Sequence, residues 1–117
     1  MTGKTYQEMA MRTKSISNDD SYGMLMHSIL GLNSEAGEVA GEIQKMYQRH
    51  KEFKLEELDV EHITNELGDC LWMIAEACEA LGLTLEDVME LNIKKLQSRF
   101  PEGFTVKDDT NRKNGDI

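Results

Sequence analysis

The chain's single proline stands at Pro101, so residues 1–100 run without the ring that breaks a helix. The same stretch shows no sustained alternation of β-branched and polar residues, and its apolar side chains recur at helical spacing instead. An all-α fold is therefore predicted. A short first helix is expected over residues 5–14, with Tyr6, Met9 and Ala10 on its apolar side. Residues 18–21 supply caps for a long second helix over residues 22–49, and the polar stretch 50–57 is a connection. Asp59 caps a third helix that runs to Leu81, where Gly82 stops it. Thr84 with Asp87 three residues later forms a capping box for a fourth helix over residues 85–99, ended by Pro101 and Gly103. The expected architecture is a bundle of one short N-terminal helix, two long antiparallel helices and one C-terminal helix, in a single domain over residues 1–104. From Thr105 apolar residues almost vanish, so residues 105–117 are expected to be a disordered tail. The second helix would be about 42 Å long, more than a compact domain of this mass spans. Its far end needs a partner, and a homodimer or homotetramer is expected.

Charge narrows the partners. Against 13 Lys and Arg stand 22 Asp and Glu, a formal net charge of −9. Affinity for nucleic-acid polymers rests on cations that displace condensed counterions, so no such polymer is expected as a partner. A small phosphorylated ligand remains compatible if a divalent cation neutralises the acids where the two meet. Cys70 and Cys78 lie eight residues apart on one helix, about 12 Å along its axis, and cannot pair. Two buried thiols fit a reducing cytoplasm. The longest apolar run, residues 70–75, is far too short to cross a bilayer, and residues 1–11 lack the apolar core of a signal peptide. A cytoplasmic protein without membrane contact is expected.

Acid pairs three residues apart are frequent here, and most such pairs are a solvated helix face, so helical phase must separate them. With Glu35 at zero, the apolar stripe of the second helix (Leu25, Ile29, Leu32, Val39, Ile43) centres near 80°, with Glu38 about 300° and Glu42 about 340° round the axis. With Glu66 at zero, the stripe of the third helix again centres at about 80°, and Asp69 falls at about 300°. Glu76 and Glu79, like Asp87 and Glu90, are assigned to outward faces. If the two stripes pack, Glu35, Glu38, Glu66 and Asp69 line one groove and repel one another. Ordinary ion pairs to Lys and Arg are one resolution. A divalent cation is the other, and an all-oxygen donor set suits Mg²⁺, with Mn²⁺ as the alternative. On the fourth helix Asn92, Lys95 and Arg99 share one flank. Two cations and an amide there suit phosphate oxygens, and Lys45 on the second helix can join them.

Three segments resemble the MazG-like group of all-α nucleoside triphosphate pyrophosphohydrolases. They are Gly31-Leu-Asn-Ser-Glu-Ala-Gly-Glu-Val-Ala40, Glu66-Leu-Gly-Asp-Cys-Leu-Trp72 and Asn92-Ile-Lys-Lys-Leu-Gln-Ser-Arg-Phe-Pro-Glu-Gly-Phe104. The metal signature reads Glu35-Ala-Gly-Glu38, the 27 residues 39–65, then Glu66-Leu-Gly-Asp69. The resemblance implies Mg²⁺-dependent cleavage of a nucleoside triphosphate between its α- and β-phosphates, giving a monophosphate and pyrophosphate, in the service of clearing or balancing nucleotides. It implies Glu35, Glu38, Glu66 and Asp69 as metal ligands, Glu35 or Glu38 as general base, and Lys45, Asn92, Lys95 and Arg99 as phosphate holders. His27, with Met24 on the same face, is the candidate for contact with the base. His62 is a candidate to orient a carboxylate, Trp72 is assigned to a subunit contact, and Tyr6 and Met9 to packing. A different class stays open: a non-catalytic helical interaction module with an acidic, cation-binding groove. It lacks the twelve-residue loop of an EF-hand, and the phosphate-suited face of the fourth helix favours the enzyme.

Overall fold

The computed structural model describes residues 1–111. Helix α1 spans Gly3–Met11, α2 Ser21–His50, α3 Val60–Leu81, α4 Leu85–Arg99 and α5 Val106–Thr110, and a 3-10 turn at Leu55–Glu57 lies in the α2–α3 connection. No strand occurs among the described residues. Boundaries follow side-chain chemistry. The Asp20 carboxylate accepts from the Gly23 amide at 2.8 Å and opens α2. Asp59 does the same for the His62 amide at 3.0 Å and opens α3, which ends where Gly82 takes a left-handed φ of 69°. Thr84 and Asp87 make the reciprocal capping box of α4.

Two terminal segments differ from expectation. Helix α1 begins two residues earlier than expected because Thr2 accepts from the Thr5 amide. It ends at Met11, where the Ala10 carbonyl is taken by the Thr13 amide and hydroxyl and by the Trp72 indole. Where composition predicts disorder from Thr105, the chain forms the short helix α5, whose first turn Thr105 caps through the Asp108 amide. The rest of that expected tail, residues 112–117, lies outside the described residues.

Helices α2 and α3 form the principal pair, running antiparallel: His27 meets Glu76, Glu35 meets Glu66 and Asp69, and Glu42 meets His62. The Met73 side chain lies over Gly31, where a Cβ would sit 2.6 Å from its sulfur. Helix α1 is fastened across the α3–α4 turn by Gln7. Its amide donates to Glu79 Oε1 and the Leu83 carbonyl, and its oxygen accepts from the Leu85 amide. Helix α4 meets α1 and α3, with Glu86 accepting from the Lys4 amide and lying with Met89 against Gly3.

The apolar core is thin. Ala10, Met24, Ala75, Cys78 and Leu85 are buried, whereas Leu30, Leu67, Leu91 and Ile93 are each more than half exposed. The radius of gyration is 17.6 Å, against about 13 Å for a compact domain of this length. Both cysteines are free, Cys78 buried and Cys70 half-buried. Burial first, then the Asp87 and Glu79 charges, push the Cys78 thiol above its ordinary pKa. No helix among the described residues is long and apolar enough to cross a membrane.

Candidate active site

The α2–α3 seam brings together three of the four expected metal ligands. Glu35 from α2 and Glu66 and Asp69 from α3 each offer a carboxylate oxygen, and the three oxygens lie within 4.8 Å of one another. Glu38, exposed and one turn beyond Glu35, stands outside this trio but within reach of its charge. Partial burial, then the charges of Asp69, Glu66 and Glu38, hold the Glu35 carboxyl above the usual glutamate range. Asp69 also reaches α1: after burial, its charge is the second influence raising the Tyr6 phenol.

To one side of the trio, towards the end of α2, Glu42, Lys45 and His62 pair with one another. His62 Nε2 lies 3.3 Å from Glu66 Oε1 and 3.3 Å from Glu42 Oε1, bridging the two helices. Lys45 donates to the same Glu42 oxygen at 3.2 Å, so this expected phosphate ligand is tied to a carboxylate here. His62 thus sits where an orienting residue for Glu66 should.

To the other side lies a feature the sequence did not disclose. Glu76, assigned to an outward face, is completely buried, with Oε1 2.5 Å from His27 Nδ1. A signal existed: by helical phase Glu76 falls at about 280°, within about 20° of Asp69. It could not name the partner, because His27 comes from another helix. The His27 ring meets Trp72 edge-on, centroids 6.2 Å apart. Within the chain, Trp72 serves as an anchor for α1, donating to Thr13 Oγ1 at 2.8 Å and to the Ala10 carbonyl at 3.2 Å. Met24 is buried in the core.

The α4 candidates stand apart from this seam. Asn92 and Lys95 are exposed and make no hydrogen bond or ion pair among the described residues. The Arg99 guanidinium lies 5.9 Å from the Phe100 ring centroid.

Two antiparallel helices here converge hard oxygen donors on one point, with no thiolate or imidazole in the trio, a donor set of the kind that can hold a divalent cation. The family model described as the MazG nucleotide pyrophosphohydrolase domain matches residues 26–104, and the chain belongs to that family. All the acids of the seam and the α4 candidates fall inside the matched span. Membership supports nucleotide pyrophosphohydrolase activity in general. The chain is also similar to the Gene 37 protein of Mycobacterium phage L5, 33% identical over 93 residues that make up 80% of this chain and 81% of that protein. No solved structure matches it.

Proposed function

We propose that this protein hydrolyses a nucleoside triphosphate between the α- and β-phosphates, releasing a monophosphate and pyrophosphate, with Mg²⁺ or Mn²⁺ as cofactor, and that it works in the cytoplasm to clear or balance nucleotides. The observation that carries this reading is the convergence of the Glu35, Glu66 and Asp69 oxygens within 4.8 Å while Glu35 is held above its ordinary pKa. Like charges set this close, half-exposed at Glu35 and Glu66 and exposed at Asp69, with no Lys or Arg paired to them among the described residues, suit a hard divalent ion. Glu35, Glu66 and Asp69 would hold it, with Glu38 as a fourth donor. Bound there, the ion supplies positive charge to offset the phosphate oxygens.

The chain's own groups account for the rest. Whichever of Glu38 and Glu35 stays off the ion would take the proton of the attacking water at its carboxylate. His62 fixes the rotamer of Glu66. Asn92, Lys95 and Arg99 would hold phosphate oxygens, together with Lys45 once it exchanges Glu42 for the ligand. The thin core and the exposed Leu30, Leu67, Leu91 and Ile93 favour a homodimer or homotetramer.

The test is incubation of the full chain with each common and modified nucleoside triphosphate plus Mg²⁺, with products separated by ion exchange. Monophosphate and pyrophosphate from at least one nucleotide are expected. Absence of turnover across the panel with Mg²⁺ and Mn²⁺ moves the conclusion to a non-catalytic cation-binding module.

A further inference from the structure

A nucleotide whose phosphates sit at the acid trio can lay its base along the α2–α3 seam in either of two directions. Toward the end of α2 the seam presents Glu42, His62 and Lys45, titratable groups that pair with one another and with Glu66. Toward α1 the seam offers the Trp72 ring, the His27 ring and the buried Glu76 carboxylate. Glu76 lies seven residues beyond Asp69 on α3, about 10 Å along the axis, and His27 eight residues before Glu35 on α2, about 12 Å. Those separations are comparable to the reach of a nucleoside from its phosphate to its base edge.

Glu76 is the largest completely buried side chain in the described protein. Its Oε1 is taken by His27, yet its Oε2 is buried with no hydrogen-bond partner. A carboxylate oxygen stripped of water and left unpaired is costly, and an N–H donor removes that cost. An ionised carboxylate only accepts, so it distinguishes base edges by their donors. Adenine, cytosine and guanine carry an exocyclic amino group. Uracil and thymine present a single ring N–H flanked by two carbonyls, whose oxygens a carboxylate repels.

We propose that Glu76, held in place by His27, reads the amino group of the substrate base, so that this seam selects adenine, cytosine or guanine nucleotides over uracil and thymine nucleotides. The proposal rests on the pyrophosphohydrolase reading and adds the specificity of the same site. One charge-assisted hydrogen bond to a desolvated acceptor discriminates by about 10- to 100-fold.

The experiment uses the full chain with Mg²⁺. Binding of the α,β-methylene analogues of dATP, dCTP, dGTP, dTTP and dUTP is measured by calorimetry, and turnover of the natural nucleotides is followed in parallel. At least one amino-bearing base is expected to bind ten times or more tighter than both uracil and thymine analogues. Glu76→Gln, whose amide can donate to a carbonyl, should close or invert that gap, and His27→Gln should narrow it. Binding of all five analogues with equal affinity overturns the proposal and leaves the pyrophosphohydrolase reading standing, as does an unchanged preference in a folded Glu76→Gln protein. Binding and turnover of none overturns both. Should Glu76→Gln not fold, the wild-type panel and His27→Gln decide the matter.

Discussion

The α2–α3 seam holds carboxylates at both ends of one face and treats them in opposite ways. Around Glu35 the acids are half-exposed or exposed and crowd one another, and partial burial together with their charges raises the Glu35 pKa. Around Glu76 the acid is completely buried, yet it has His27 at 2.5 Å and sits among packed helices. Depth of burial is therefore not what marks the end proposed to react. Unresolved like charge near water suits an exchangeable cation, whereas a buried acid with a fixed partner suits rigidity and recognition.

Removing the charge of Glu35 tests the difference most severely. Glu35→Gln should lower pyrophosphate release by about 10²- to 10³-fold, the scale of losing one electrostatic group at a reacting centre. Mg²⁺ should raise the melting temperature of the wild type, Glu38→Gln should shrink the shift and Glu35→Gln should remove most of it. Without metal the sign reverses. A carboxyl with a raised pKa in the folded state binds its proton more tightly there than in the unfolded chain. Its contribution is fully present below the ordinary glutamate value and is lost as pH rises through the raised one. In EDTA at neutral pH Glu35→Gln should thus melt higher than wild type, and the advantage should fade as pH falls towards the ordinary glutamate range. Equal melting curves at neutral pH would show that the trio carries no stored repulsion.

At the other end the expected loss is in stability. His27→Leu strips Glu76 of its partner and leaves an uncompensated buried charge. The cost should be about 3 kcal/mol, at the lower end for such a loss because half-exposed His27 leaves room for water. Urea unfolding measures it. A shift within error of zero would mean that His27 does not compensate Glu76 and that the two ends do not differ in this way.

What the sequence disclosed follows from how local each determinant is. Asp59, Gly82 and the Thr84–Asp87 pair act within one turn of themselves, so the limits of α3 and α4 were legible to the residue. Glu35, Glu66 and Asp69 were legible as a set because each borders the apolar stripe of its own helix, and two such stripes must meet. Helix α1 shifted because Thr2 caps earlier and Trp72 claims the Ala10 carbonyl from another helix. The burial of Glu76 depended on His27, 49 residues away. Periodicity placed Asn92, Lys95 and Arg99 on one flank of α4, but a flank does not say which neighbour it faces. Here α4 packs against α1 and α3.

The smallest expected effect lies beside the trio, at the bridge between its two helices. His62 touches Glu42 and Glu66 at equal distance and is itself about half exposed, so the pairing adds little to folding. On the proposed reading its role is orientation: a carboxylate fixed before an ion arrives loses less freedom on binding it, and outer partners of this kind typically change metal affinity by tenfold or more. His62→Ala should therefore leave the melting temperature in EDTA nearly unchanged while raising about tenfold the Mg²⁺ concentration needed for half-maximal activity. A drop in metal-free stability with an unchanged Mg²⁺ requirement would make His62 a clip between α2 and α3, and the acid end of the seam would then owe its arrangement to helix packing alone.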